Sequence, residues 1–168
     1  MSEAGREDSG QPAPQFELAI VARFHEADLL GRLNNAVYLH YLEQAAVEHA
    51  AALGLTFEVC RALGGVFVAR RHEIEFLRPA FPGDVMLVQT WLGEARGARV
   101  ARHYQIVRLA PDTPAPPFAG RVPTGALPDG ELVVTAETDW VFMSEDGRPR
   151  RIPPQILTQF AQALVAPA

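Results

Sequence analysis

Asp28 is the residue whose type and surroundings are best suited to catalysis. It lies in a short polar stretch between a segment with strand-like alternation and a segment with helical periodicity. A carboxylate in such a loop can act as a nucleophile or as a general base. Asn34 or Asn35 can cap the helix that follows, and free amides at its positive end could polarise a carbonyl group. The alternative is an aspartate that only stabilises a turn.

Two neighbours bear on this carboxylate. Gly31 permits a sharp turn or a close approach of the backbone to a ligand. Glu26 precedes Asp28 by two residues, and a pair of carboxylates can raise the pKa of one member. We expect instead that Glu26 is exposed and paired with a nearby arginine.

The composition is typical of one folded domain. The chain has 168 residues, of which 48% are hydrophobic. A formal charge of −5 argues against a nucleic-acid-binding protein. The single cysteine, Cys60, excludes an internal disulfide and a cysteine-based zinc site, and it fits a reducing cytoplasm. The histidines show no metal-binding spacing, and no apolar run reaches the ~18 residues of a membrane span.

The elements that must position these residues follow from hydrophobic periodicity. Alternating apolar residues over 16–24 predict a strand with one buried face. Residues 35–53 predict a helix of about 27 Å, with Gly54 just beyond its end. The other predicted elements are a short helix capped by Thr56, strands over 66–78, 85–92, 99–109 and 132–143, a loop over 110–130, and a final helix carrying Leu157, Phe160 and Leu164. Residues 1–14 predict a disordered tail ahead of one domain over 15–168.

The order of these elements favours an α+β architecture. Tight turns between successive strands imply antiparallel neighbours, and one long helix would cover one face of a curled sheet. Such a sheet keeps free edges, which pairing with a second chain would cover. The runs over 66–78 and 99–109 carry apolar residues on both sides and could support such contacts. We therefore expect a homodimer or a homotetramer.

One stretch also resembles a known family. The residues that carry the resemblance are Asp28, Gly31, Asn34, Asn35, Tyr38, Leu39, Tyr41 and Glu43. Their types and spacing are similar to the signature of hotdog-fold acyl-CoA thioesterases of the 4-hydroxybenzoyl-CoA thioesterase-like group. The resemblance implies a curled antiparallel β-sheet wrapped around one long central helix. It also implies hydrolysis of an acyl-CoA thioester to a free acid and coenzyme A.

The resemblance further implies roles for individual residues. Asp28 would be the catalytic nucleophile or base, the Asn35 amide would polarise the thioester carbonyl, and Gly31 would leave room for the bound chain. Substrate-binding residues would be Tyr38, Val66, Phe67, Val68 and, for the phosphates of coenzyme A, Arg96, Arg150 and Arg151. The alternative for these arginines is a solvated surface. The acyl-binding tunnel would lie between subunits, and the reaction needs neither a cofactor nor a metal ion.

The chain departs from one related pattern at two positions. In plant acyl-acyl carrier protein thioesterases the pattern Asp-x-Asn-x-His carries catalytic residues, whereas Leu30 and Arg32 stand at the Asn and His positions here. Glu43 matches a position of the signature, and we expect a buried acid that ties the helix to the loop. His49 lies on an inward stripe of the helix and is expected to be a core histidine.

Two other functions remain open from the sequence. The same fold could hold an acyl-CoA or an acyl carrier without turnover, as a binding protein. It could also support a different hotdog chemistry such as hydration, although that usually needs an Asp/His pair in another motif, which the sequence does not contain. The binding partners expected from the sequence are an acyl-CoA and further copies of the chain, with neither nucleic acid nor membrane.

Overall fold

The computed structural model describes residues 15–114, 119–127 and 130–165, without the side chains of the last two. The elements, in chain order, are β1 (Phe16–Val21), α1 (Asn35–Ala52), α2 (Phe57–Ala62), β2 (Val66–Phe76), β3 (Val85–Arg96), β4 (Arg99–Arg108), β5 (Ala119–Val122), β6 (Glu131–Met143) and α3 (Pro154–Val165). The predicted tail over 1–14 lies outside the described residues. One six-stranded sheet runs in the order β2-β6-β4-β3-β1-β5, and all of its pairs are antiparallel. The expected α+β architecture is confirmed.

Strand β1 is buried on both faces, which the alternation of its sequence did not indicate. Leu18 belongs to the core under α1, while Ala19 on the opposite face packs in a second cluster with Leu87 and Leu109. Val122 and Leu127 pack against that second cluster, so residues 119–127 help to cover the outer face. The strand also ends earlier than predicted, and Phe24 is 89% exposed.

Strand β5 lies inside the segment over 110–130 that the sequence predicted to be a loop. Its four residues pair with β1, from Ile20 opposite Ala119 to Glu17 opposite Val122. The proline and glycine content that predicted a loop hides this strand because four residues are too few to show an alternation. Residues 115–118 and 128–129 of the same segment lie outside the described residues.

Helix α1 begins and ends on local signals that the sequence carries. The Asn34 side chain accepts a hydrogen bond from the Ala36 amide at 3.0 Å. At the other end the amides of Gly54 and Leu55 donate back to the last turn at 2.9 and 2.8 Å. Gly54 has φ +73°, the left-handed conformation that ends many helices. Ala52, the last residue of α1, is exposed.

The ends of several other elements differ from the prediction. Strand β3 continues through Gly93 to Arg96, so its turn into β4 is shorter than predicted. Helix α3 buries Ile156 completely, whereas Leu157 is 38% exposed. The side chain of Leu164 lies outside the described residues.

Strand β2 forms one edge of the sheet. It pairs with β6 alone among the described strands, and most of its residues are half-buried or exposed. Strand β4 lies between β3 and β6. The prediction that residues 99–109 support edge contacts with a second chain is therefore wrong, because both edges of β4 are already hydrogen-bonded. The long edge that remains free is that of β2.

Glu26 is the buried acid that ties the loop to the helix. The sequence assigned this place to Glu43, which is exposed, and it expected Glu26 at the surface, although Glu26 is only 7% exposed. Glu26 Oε2 accepts hydrogen bonds from the Tyr41 hydroxyl at 2.6 Å and from the Arg23 amide at 2.7 Å. The Arg23 guanidinium donates to Oε1 at 2.7 Å. The expected pairing with an arginine is present, but in a buried setting.

We predict that Glu26→Gln lowers the free energy of unfolding by about 1–3 kcal/mol at neutral pH, because it weakens hydrogen bonds made to a charged group. Burial would raise the pKa of Glu26, but the hydrogen bonds from Arg23 and Tyr41 outweigh it and hold that pKa below its ordinary 4.5. The stabilisation is therefore complete above the unfolded pKa and is lost as the pH falls through the lower folded value.

Urea unfolding of both proteins between pH 3 and pH 7 measures this difference. Glu43→Gln is the matched control because Glu43 is an exposed glutamate of α1. An equal loss of stability in the two variants, or a loss from Glu26→Gln that does not shrink at low pH, would contradict the assignment.

Candidate active site

The residues ahead of α1 form a small hairpin over 27–33. Ala27 and Leu33 form an isolated antiparallel bridge at its base, and the Asp28 amide donates to the Arg32 carbonyl at 2.7 Å. Gly31 has φ +73°, and a Cβ at this position would meet no atom within 4 Å. Glycine is therefore favoured here by backbone conformation, not by a close neighbour within the chain.

Asp28 lies inside the turn of this hairpin. Its Oδ1 accepts hydrogen bonds from the amides of Leu30 at 2.8 Å and Arg32 at 3.1 Å, and the Arg32 guanidinium lies 3.4 Å from Oδ2. Burial would raise the pKa of Asp28, but the two amides and the Arg32 charge outweigh it and hold that pKa below its ordinary value. The carboxylate is therefore ionised at neutral pH. It is also a quarter exposed, so a ligand can reach it.

The first turn of α1 carries one unused amide. The Ala36 amide donates to the Asn34 side chain at 3.0 Å, and the Val37 amide donates to the Asn34 carbonyl at 2.9 Å. Within the part of the chain that the structure describes, the Asn35 amide has no acceptor. This donor sits at the positive end of the helix, where it can stabilise a developing negative charge on an oxygen.

A cleft of about 270 Å³ opens beside this helix end. Its lining includes Arg32, Asn35, Tyr38 and Phe76. Asp28 is not part of the lining, but its partner Arg32 is. Tyr38 is 2% exposed, and its ring meets that of Phe76 edge-on at 5.5 Å, so it forms the inner wall of the cleft.

A second and larger cavity of about 380 Å³ lies near the other end of α1. Its apolar lining includes Ala46, Ala50, Val66, Phe67 and Phe160. Of the three consecutive residues that the sequence proposed as an acyl-binding wall, the first two line this cavity. The third, Val68, is 47% exposed and does not belong to the lining.

The carboxylate and the large cavity are separated along α1. The helix has 18 residues; Asn35 lies at its first turn, and the cavity begins at Ala46. At 1.5 Å per residue this is an axial distance of roughly 17 Å. One chain therefore does not bring its own Asp28 to its own large cavity.

The structure draws together the backbone segments that carry the three predicted phosphate-binding arginines. The Ile152 amide donates to the Gly97 carbonyl at 2.9 Å, so the turn after Arg96 lies against the segment that contains Arg150 and Arg151. Arg96 is paired with a glutamate at 2.7 Å and is mostly exposed. The Arg150 guanidinium donates to a backbone carbonyl of the chain at 3.1 Å, and Arg151 is exposed.

Sequence reasoning expected His49 to be buried but missed its buried partner on the inner face of the sheet, Arg102 of β4. Arg102 is 5% exposed, lines the large cavity, and donates from Nη1 to His49 Nδ1 at 2.8 Å. His49 is buried and stacks on Phe16 with ring centroids 5.3 Å apart. An arginine within the alternation Val100, Arg102, Tyr104 was the available signal, because the neighbours on its face of β4 are apolar or aromatic.

The titratable residues that the structure describes contain no group of three or more that could hold a metal ion. None of the described helices is long and apolar enough to cross a membrane.

Comparison with known proteins identifies thioesterases among the relatives of this chain. A family model described as the thioesterase-like superfamily matches residues 22–160. Two chloroplast acyl-acyl carrier protein thioesterases of Arabidopsis thaliana, ATL3 and ATL2, are each 24% identical, over 88% and 86% of this chain and 68% and 67% of their own lengths.

Solved structures match over most of their lengths. A 1,4-dihydroxy-2-naphthoyl-CoA thioesterase from Synechocystis is 17% identical, with a TM-score of 0.71 over 90% of this chain and 98% of its own. A thioesterase from Thermus thermophilus, complexed with coenzyme A and Zn, is 21% identical, with a TM-score of 0.71 over 94% and 100%. These likenesses confirm the expected hotdog fold.

We predict that His49 stays neutral in the folded protein from pH 5 to pH 8. Burial and the Arg102 charge lower the pKa of His49 from 6.5 to about 3. Because the unfolded chain takes up this proton below pH ~6.5 and the folded chain does not, stability falls as the pH drops from there. NMR of the histidine ring protons measures the titration, with His49→Gln to assign the signal.

A shift of the His49 ring signals with a midpoint near 6.5 would contradict the buried pairing with Arg102.

Proposed function

Because the chain belongs to the thioesterase-like superfamily and is a thioester hydrolase, we propose that its substrate is an acyl-CoA and that Asp28 is the catalytic carboxylate. Water is consumed, the carbonyl carbon–sulfur bond breaks, and the products are a free acid and coenzyme A. The observation that carries the proposal is an ionised, partly exposed carboxylate in a hairpin that leads directly into a helix with an unused first amide.

Each group has a role in this proposal. Asp28 either attacks the carbonyl carbon to form an anhydride or takes a proton from an attacking water. In both routes negative charge develops on the carbonyl oxygen. The Asn35 amide donates a hydrogen bond to that oxygen, and Gly31 keeps the turn in the conformation that aims the carboxylate. Leu30 and Arg32 supply neither the amide nor the imidazole of the plant pattern, so Asp28 acts without them.

Three arginines, Arg96, Arg150 and Arg151, support coenzyme A as the thiol carrier. Guanidinium groups suit phosphate geometry, and the segments of Arg96, Arg150 and Arg151 lie side by side. A neighbour from Thermus thermophilus is described as complexed with coenzyme A, whereas the Arabidopsis relatives are described as acting on acyl-acyl carrier proteins. An acyl-acyl carrier protein is therefore the competing substrate, to be compared directly in the assay.

The proposed site is shared by two chains. The free edge of β2 can pair with the same edge of a second copy about a two-fold axis, which runs the two strands antiparallel. That pairing brings the Asp28 end of one α1 towards the large cavity near the far end of the other. Val66 and Phe67 of one chain then form the acyl wall for Asp28 of its partner. A dimer of such dimers is compatible with this arrangement, and the single buried thiol of Cys60 supports a cytoplasmic location.

We predict that Asp28→Asn keeps the fold and lowers kcat for acyl-CoA hydrolysis by at least ~10²-fold, because it removes the nucleophile or base. Thiol release from a panel of acyl-CoAs and acyl-acyl carrier proteins measures the loss, and circular dichroism confirms the fold.

Asp112→Asn is the matched control, because Asp112 is an exposed turn aspartate. Near-normal turnover by folded Asp28→Asn would contradict the assignment of Asp28 as the catalytic carboxylate. Tight binding of acyl-CoA without any thiol release by the wild-type protein would favour the non-catalytic binding protein.

We also predict that two inactive variants complement each other. Asp28→Asn removes the carboxylate, and Ala50→Trp fills the large cavity. A heterodimer purified through two different tags contains one intact site, formed by Asp28 of one chain and the cavity of the other. Its turnover should be roughly half that of the wild-type dimer if each dimer carries two sites.

Light scattering establishes the assembly first. A monomer with full activity at micromolar concentration, or a heterodimer as inactive as its parents, would refute the shared site.

A further inference from the structure

Arg102 is a buried charge without a carboxylate partner. It is 5% exposed, and none of the ion pairs among the described residues includes it. Its Nη1 donates to His49 Nδ1 at 2.8 Å and to Thr90 Oγ1 at 3.2 Å. Both acceptors are neutral, because the pKa of His49 is lowered to about 3. Arginine stays protonated in proteins, so the positive charge is not neutralised within the described part of the chain.

The rest of this guanidinium opens into the large cavity. Nε and Nη2 have no acceptor among the described residues. Among the described residues, the buried side-chain atoms without a hydrogen-bond partner do not include either nitrogen. Both nitrogens are therefore accessible. Since Arg102 lines the cavity, these two nitrogens present up to three N–H donors to its interior.

The cavity has an apolar wall, an exposed rim and a charged floor. Val47 and Phe57 at the rim are 66% and 63% exposed, and Arg102 is buried. The one carboxylate of the lining, Glu58, belongs to an exposed residue in the first turn of α2. The volume of about 380 Å³ lies within the range of roughly 300–1,000 Å³ for small-molecule sites.

We propose that this cavity binds an apolar chain that ends in a carboxylate, with the carboxylate on Arg102. The occupant is an acyl group whose far end is a carboxylate, held with its thioester at the rim, or a free fatty acid that enters with its carboxylate first. A buried charge is costly unless it is paired, and a carboxylate matches the planar donors of a guanidinium. The inference rests on the proposed function in taking this cavity as the acyl-binding site.

Matched substrates test the first source. Octanoyl-CoA and the mono-CoA ester of octanedioic acid differ only in the terminal group. We expect the wild-type protein to prefer the carboxylate-terminated ester in kcat/KM by about ten- to a hundredfold, the worth of a hydrogen bond to a charged group. Arg102→Met should abolish this ratio, and Arg102→Lys should retain part of it. Arg61→Met is the control, since Arg61 is an exposed arginine paired with Glu145, and it should leave the ratio unchanged.

Binding by the unaltered protein tests the second source and does not depend on any variant folding. Octanoate should raise the melting temperature and give measurable heat of binding, whereas octan-1-ol at the same concentration should do neither to the same extent. Binding of octanoate without a preference for the dicarboxylic ester would assign the site to free acids. A preference for the ester would assign it to the substrate.

Distinct results separate this inference from the proposed function. Good turnover of octanoyl-CoA with no carboxylate preference in either assay overturns the role of Arg102 and leaves the thioesterase intact. Absence of any thiol release overturns the proposed function, while the comparison of octanoate with octan-1-ol still decides whether the cavity takes a carboxylate. An unchanged preference in folded Arg102→Met also overturns the inference.

Discussion

The hydrogen bond from the Tyr41 hydroxyl to Glu26, 2.6 Å long and buried, fixes the geometry on which the candidate site depends. It joins the second turn of the helix to the segment that precedes the Asp28 hairpin. The backbone of Glu26 adds a second connection, because its carbonyl accepts from the Asn34 amide at 2.9 Å. Charge-assisted hydrogen bonds in a buried setting are short and strong. Asp28 makes its own hydrogen bonds within the hairpin, and this connection sets where the whole hairpin stands relative to the helix.

The two faces of the sheet carry different kinds of polar groups. On the inner face, the buried Arg102 of β4 donates a hydrogen bond to the buried His49 of α1. On the outer face, the Glu17 carboxylate is 2% exposed and accepts hydrogen bonds from the Gln89 side chain at 2.5 Å and the Gly125 amide at 2.8 Å. Each buried polar group is thus served by an element distant in sequence. Residues 119–127 are part of the folded structure, because Gly125 supplies one of these donors.

Local signals in the sequence predicted local structure well. The Asn34 cap, Gly54 and the Thr56 cap each act within a few residues, so the bounds of α1 and α2 followed from them. The burial of Glu26 and the exposure of Glu43 did not follow from local signals. Burial of an acid depends on partners far along the chain, here Tyr41 for Glu26. Strand β5 was missed since only its pairing with β1 makes it a strand. The resemblance singled out the hairpin, but the large cavity and Arg102 emerge only when β2, β4, α2 and α3 converge.

The two edges of the sheet differ in length, and this difference affects whether further copies of the chain can extend the sheet. One edge ends in β5, a strand of four residues, and the other ends in β2, a strand of eleven residues whose outer side pairs with no described strand. Pairing of two β2 edges about a two-fold axis uses the long edge of both chains at once. What remains at either end is a short strand, which is a poor template for further addition. In the proposed dimer, extension of the sheet would therefore terminate after two copies, and the same asymmetry would oppose the formation of fibres.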